Sequence, residues 1–124
     1  GKMVRDFTYI DDISFSIIKL LNKIPEKNDK FNFLYPSPNE SWCKHKIFNI
    51  GNSSPTKLID YITAIEDSLG ITAEKEFLPM QPGDVPETFA DTESLQRWIN
   101  FKPQTSIKYG VSKFVKWYKQ YYKI

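Results

Sequence analysis

Apolar and polar positions alternate at the start of the chain and then fall into helical spacing. Met3, Val4, Phe7, Tyr9 and Ile10 interleave with Arg5, Asp6 and Thr8, a strand-like stretch running into Asp11-Asp12. Either aspartate can cap a helix. Ile13, Ile17, Leu20, Leu21 and Ile24 follow on one helical face up to Pro25, which ends it. Residues 25–45 hold three prolines among polar neighbours and predict a long surface loop, with a short extended piece at Phe31–Leu34. Lys46–Ile50 reads as a buried strand ending in the turn Gly51-Asn52-Ser53. Ser54 with Pro55 predicts a helix start, Leu58, Ile62, Ile65 and Leu69 share one face, and Gly70 closes it. A short strand near Glu74–Leu78 precedes the loop PMQPGDVPETFAD. Asp91 or Thr92 then caps a helix carrying Leu95, Trp98 and Ile99. The last helix is expected to bury Ile107, Val111, Phe114, Tyr118 and Tyr121. Strands alternating with helices predict an α/β layered architecture over residues 1–124. With so few strands, the apolar helix faces expect more protein than the chain supplies.

Composition narrows the function classes. Seventeen basic against fifteen acidic residues leave no electrostatic footprint for nucleic acid or a membrane surface. The single cysteine, Cys43, precludes an intrachain disulfide and suits a reducing, cytoplasmic setting. No apolar run reaches the roughly 18 residues of a membrane-spanning helix.

Most catalytic signatures are missing. Five glycines stand at 1, 51, 70, 83 and 110, none spaced as a dinucleotide fingerprint or a P-loop. Cys43 and His45 lie two apart in a loop without further ligands, so a metal site is not expected. Tyr109 and Lys113 have the spacing that sets a phenol beside an ammonium on one helix face. With no cofactor loop before them, they read as part of a solvated, lysine-rich face. Two features stay open. Arg5 is either a surface cation or a fork-shaped donor for phosphate or carboxylate. Gln81-Pro82-Gly83-Asp84 is a type II turn, or a turn whose amide, backbone donors and carboxylate hold a polar ligand.

RDFTYIDDI, KIFNIGNSSP, LPMQPGDVPETFADT and FKPQTSIKYGVSKFVKWYKQYY, in this order, resemble the C-terminal third of extended short-chain dehydrogenase/reductase enzymes acting on nucleotide sugars. Within that group the chain most resembles UDP-glucuronate 4-epimerases of surface polysaccharide pathways. The resemblance implies a C-terminal substrate-binding portion of the fold plus strands of the Rossmann sheet. It implies NAD held by an N-terminal Rossmann domain outside these residues, and a UDP-sugar as substrate. It places no catalytic and no cofactor-binding residue on this chain. It implies that Arg5 contacts the diphosphate, with Phe7 beside the nucleotide and Asp84 at the ribose. Gln81 stands where many relatives have arginine, so one positive charge is absent. The chain alone is then expected to be inactive and prone to self-association. A non-catalytic binding module, or a dehydratase or decarboxylase parent, are the alternatives.

Overall fold

The computed structural model describes residues 1–124. β1 (Val4–Arg5) pairs antiparallel with β2 (Thr56–Lys57), Val4 opposite Lys57 and Arg5 opposite Thr56. Val4 also forms a parallel bridge with Glu87, with its N–H donating to Pro86 O at 2.9 Å and its carbonyl accepting from Thr88 N at 3.2 Å. Around this small sheet stand α1 (Ile10–Leu21), α2 (Leu58–Leu69), α3 (Glu93–Ile99) and α4 (Ile107–Tyr122). The α/β class therefore stands, as a small α/β segment.

One small apolar cluster holds it. α2 and α4 pack through Ala64, Val111 and Val115, flanked by Tyr61, Ile65, Leu69 and Ile107. Small residues at the contact let the helices approach closely. Leu95 and Ile99 of α3 and Pro103 are buried outside that cluster. Only ten of 124 residues are buried, a core too thin to confer more than marginal stability.

Several local expectations give way to tertiary contacts. α1 begins at Ile10, with Tyr9 as its cap and no side-chain capping bond. Asp12 instead accepts from Thr105 N at 3.0 Å, and both aspartates sit in the first turn, where negative charge complements the helix dipole. The helix also stops short of Pro25, because Lys23 turns to α3: its ammonium donates to Trp98 O at 2.6 Å. Ser54-Pro55 starts no helix. Thr56-Lys57 is recruited to β1, and α2 begins at Leu58, whose N–H donates to Met3 O at 2.9 Å. Gly70 does close α2, in the left-handed conformation at φ 71°.

Neither further strand forms. Lys46–Ile50 has only an isolated bridge from Lys46 to Glu40, and no strand lies beside the rest. Glu74–Leu78 is irregular, since Glu66 draws in Ala73 N and the Lys75 ammonium. Phe31–Leu34 is likewise not extended. On α4 the buried line is Val111 and Val115, not the predicted aromatics. Phe114, Tyr118 and Tyr121 are exposed, because α2 covers only part of an apolar stripe wider than itself.

Candidate nucleotide-binding site

The opening segment is fixed by polar stitches. Asp6 accepts from Ser53 N (3.0 Å) and Ser54 N (3.2 Å), while Thr8 Oγ1 accepts from Asn52 N at 3.1 Å. Ser53 Oγ lies 2.6 Å from Thr92 Oγ1 and donates to Ala90 O at 3.1 Å. Asn52 Nδ2 reaches Thr105 O at 3.4 Å, leaving its Oδ1 as the one buried side-chain atom without a partner. Gly51 permits this crossing: a Cβ there would lie 2.8 Å from Ala90 Cβ and 3.0 Å from Asp6 Oδ2. The quoted motifs thus meet at one junction, which sets the direction in which β1 presents Arg5.

Arg5 points to the loop after Leu78. Its Nη1 donates to Val4 O at 2.9 Å and Pro86 O at 3.3 Å, and its Nη2 donates to Met3 Sδ at 3.3 Å. Asp84 Oδ1 stands 3.9 Å from Nη2, an ion pair in which Arg5 is 24% and Asp84 44% exposed. At that exposure the pair contributes little stability, but it fixes where the guanidinium sits. Asp84 is placed by a turn: its N–H donates to Gln81 O at 3.1 Å, and Gly83 has φ 94°, as the third position of a type II turn requires. Gln81 and Asp84 line a cavity of 840 Å³ together with Met3, Phe77 and Met80. Arg5 is not among the residues lining this hollow and touches it through its ion pair with Asp84. A cation thus stands behind a carboxylate beside a partly apolar cavity, a set suited to an anionic, hydroxylated ligand.

Phe7 goes elsewhere. Its ring stacks on Tyr61 at 4.1 Å and 12°, lining a different cavity of 480 Å³ against α4 with Tyr9, Lys113 and Trp117. There desolvation, reinforced by Asp11, raises the Tyr9 phenol above its ordinary value of 10.0. The ammonium of Lys113 lies over the Tyr109 ring, 5.1 Å from its centroid, in a cation–π contact on the helix surface. Cys43 is exposed, and its Sγ lies 3.2 Å from Ser41 Oγ.

Arg5 and Asp84 therefore come together across the fold, Gln81 belongs to the same turn as Asp84, and Phe7 does not join them. Sequence reasoning missed Met3 and Pro86 as the groups that hold the guanidinium. A thioether and a backbone carbonyl leave no sequence signal of that role. It also missed that Asp6, beside Arg5 in the motif, is a structural tie.

No family model matches the chain. It is 48% identical over 99% of its length to the protein CapI of Staphylococcus aureus, covering 37% of that protein. It is 36% identical, again over 99%, to a probable UDP-glucuronate 4-epimerase of Rhizobium meliloti, covering 36% of it. Among solved structures, the UDP-glucuronic acid 4-epimerase of Bacillus cereus in complex with UDP-glucuronic acid and NAD matches with a TM-score of 0.74 and 26% identity, over 98% of this chain and 34% of that one. The chain thus spans about a third of the length of the relatives it matches.

Proposed function

As a homologue of a C-terminal segment of the UDP-sugar epimerases of short-chain dehydrogenase/reductase type, this chain is, we propose, the part that grips the UDP-sugar. The 1–124 segment acts as a substrate-binding portion, and the epimerisation it serves interconverts UDP-glucuronate and UDP-galacturonate for cytoplasmic surface-polysaccharide synthesis. One observation carries the reading. Arg5 and Asp84, far apart in sequence, meet at 3.9 Å, and Asp84 lines a cavity together with Gln81. In this reading the guanidinium neutralises the diphosphate and Asp84 accepts from the ribose hydroxyls. Gln81 donates its amide where a second cation is absent. Phe7, stacked on Tyr61 in the other cavity, supports the strand that carries Arg5 rather than touching the ligand.

This reading assigns no dinucleotide contact to the chain. Gly70 closes a helix, Gly83 makes a turn and Gly51 packs on Ala90, so none opens a helix N-terminus towards a pyrophosphate. No step of hydride transfer is assigned to these residues, and the 124-residue chain alone is expected not to turn over UDP-glucuronate when NAD is supplied. Binding is the testable part. Calorimetric titration with UDP is expected to give weak but saturable binding that Arg5→Ala reduces about tenfold or more, the scale of a lost charge-assisted contact. Unchanged UDP affinity in Arg5→Ala overturns the reading.

A further inference from the structure

We propose that Met3 is an oxidation site that governs Arg5: conversion of its thioether to a sulfoxide ties up the guanidinium and weakens anion binding there. The inference rests on the reading of Arg5 as the diphosphate contact and adds how that contact is regulated. The chain has two methionines, and both Met3 and Met80 line the same 840 Å³ cavity. Half-buried Met3 bonds to Arg5, whose Nη2 donates to its Sδ at 3.3 Å; Met80, 49% exposed, makes no such bond. The two ends of the guanidinium fork are held unequally. Nη1 donates to the carbonyls of Val4 at 2.9 Å and Pro86 at 3.3 Å. Nη2 has a thioether, which is a weak acceptor, and Asp84 Oδ1 at 3.9 Å, beyond hydrogen-bond distance. Nη2 is therefore the corner open to a better acceptor, and the Met3 sulfur stands beside it.

Oxidation supplies such an acceptor. Hydrogen peroxide that reaches the sulfur through the cavity transfers one oxygen: the O–O bond breaks, an S–O bond forms, the sulfur gives up two electrons and the other oxygen leaves as water. The sulfoxide oxygen is a strong acceptor, and the guanidinium beside it donates a charge-assisted hydrogen bond. An incoming anion must then displace that oxygen instead of a thioether. The cavity leaves room for the added atom. The backbone is held, since Met3 O accepts from Leu58 N at 2.9 Å and Val4 pairs with both Lys57 and Glu87, so the change stays in the side chain. Reduction of the sulfoxide restores the thioether and frees Nη2, which makes the modification reversible.

The test uses the 124-residue chain with Cys43→Ser, which removes the exposed thiol as a competing target. Two versions add either Met80→Leu or Met3→Leu, replacements that keep the side-chain volume. Each is titrated with UDP before and after hydrogen peroxide, and mass spectrometry locates the added oxygen. Oxidation is expected to weaken UDP about three- to tenfold in the version that keeps Met3, with recovery under methionine sulfoxide reductase. The version that keeps Met80 is expected to bind UDP equally well before and after. Equal losses in both, no loss in either, or a Met3 that takes no oxygen under conditions that oxidise Met80 overturn the proposal. Unfolding on oxidation, read by circular dichroism, overturns it too. A second readout needs no ligand: the Arg5 Nε–H NMR signal is expected to shift on oxidation where Met3 is kept, and an unmoved signal overturns the proposal even if UDP binding falls. Arg5→Ala separates the two claims. If it weakens UDP while oxidation of Met3 does not, the site stands and the oxidation switch falls. If it leaves UDP affinity unchanged, the site reading falls and the switch with it.

Discussion

Two regions of the molecule differ in how far they satisfy themselves. At the junction of residues 6–12 with 51–54, 90–92 and 105, buried polar groups are matched almost completely, the Asn52 Oδ1 excepted. On the outer side of α4, Phe114, Trp117, Tyr121 and Tyr122 stay half exposed or more and stack mainly on one another, as Trp117 does on Tyr121 at 5.4 Å. Matched buried groups specify one geometry, because each alternative leaves a donor or acceptor stranded. A self-stacked aromatic surface specifies little, and a patch of this kind favours association. The site depends on the first kind of region, since the junction aims β1 and β1 carries Arg5.

The sharpest way to break the contrast is at its centre. Asp6→Ala removes two carboxylate bonds to backbone N–H groups and leaves the half-buried Ser53 donor without a partner while exposed Ser54 turns to water, a loss of about 3 kcal/mol. With so thin a core, urea denaturation is expected to show a midpoint lowered almost to zero. Next comes Gly51→Ala, whose methyl would stand 2.8 Å from Ala90 Cβ. Forced repacking there costs about 1–3 kcal/mol, visible as a lower melting temperature. A midpoint unchanged by either substitution removes the junction from its assigned role.

The salt link between Glu66 and Lys75 is a smaller lever. The bond from Lys75, and then that from Ala73 N, hold the Glu66 carboxyl below its ordinary value of 4.5. A carboxylate with a depressed folded value stabilises above its unfolded value and loses that contribution as pH falls through the folded one. Denaturation midpoints of wild type and Glu66→Gln are therefore expected to differ near neutrality and to converge in acid, below the ordinary carboxylate range. A constant difference across that window contradicts the assignment. Smallest in stability is Trp117→Gln, at half-exposed Trp117 on α4. It is expected to shift the denaturation midpoint by no more than about 0.5 kcal/mol while reducing self-association in sedimentation. Unfolding by Trp117→Gln would place that ring in the core after all.

The same contrast explains what could be read from the sequence. The helices were legible because α1, α2, α3 and α4 each repeat apolar residues at helical spacing. The Gly70 and Gly83 conformations were legible because φ above zero favours glycine. Helix starts were misplaced wherever a distant backbone group took over the local cap. Asp12 went to Thr105, and the stretch after Ser54-Pro55 went to β1. Lys46–Ile50 had the composition of a buried strand, yet a strand is a property of its neighbours, and none lies beside it. The α4 aromatics were assigned to a core because their spacing is helical and apolar; spacing says which residues share a face, not whether anything covers it. At the site, Arg5, Gln81 and Asp84 could be named from their motifs. Their meeting through Pro86 and Met3 could not, because main-chain partners carry no sequence signature.

Residue-resolved NMR titration with UDP tests the central claim most directly, because the two cavities share no residues. If Arg5 and Asp84 form the nucleotide contact, amide shifts concentrate at Val4–Asp6 and Gln81–Glu87, while Tyr61, Phe114 and Trp117 stay unmoved. Shifts concentrated instead around Phe7, Tyr61 and Trp117, with Arg5 and Asp84 silent, would contradict it.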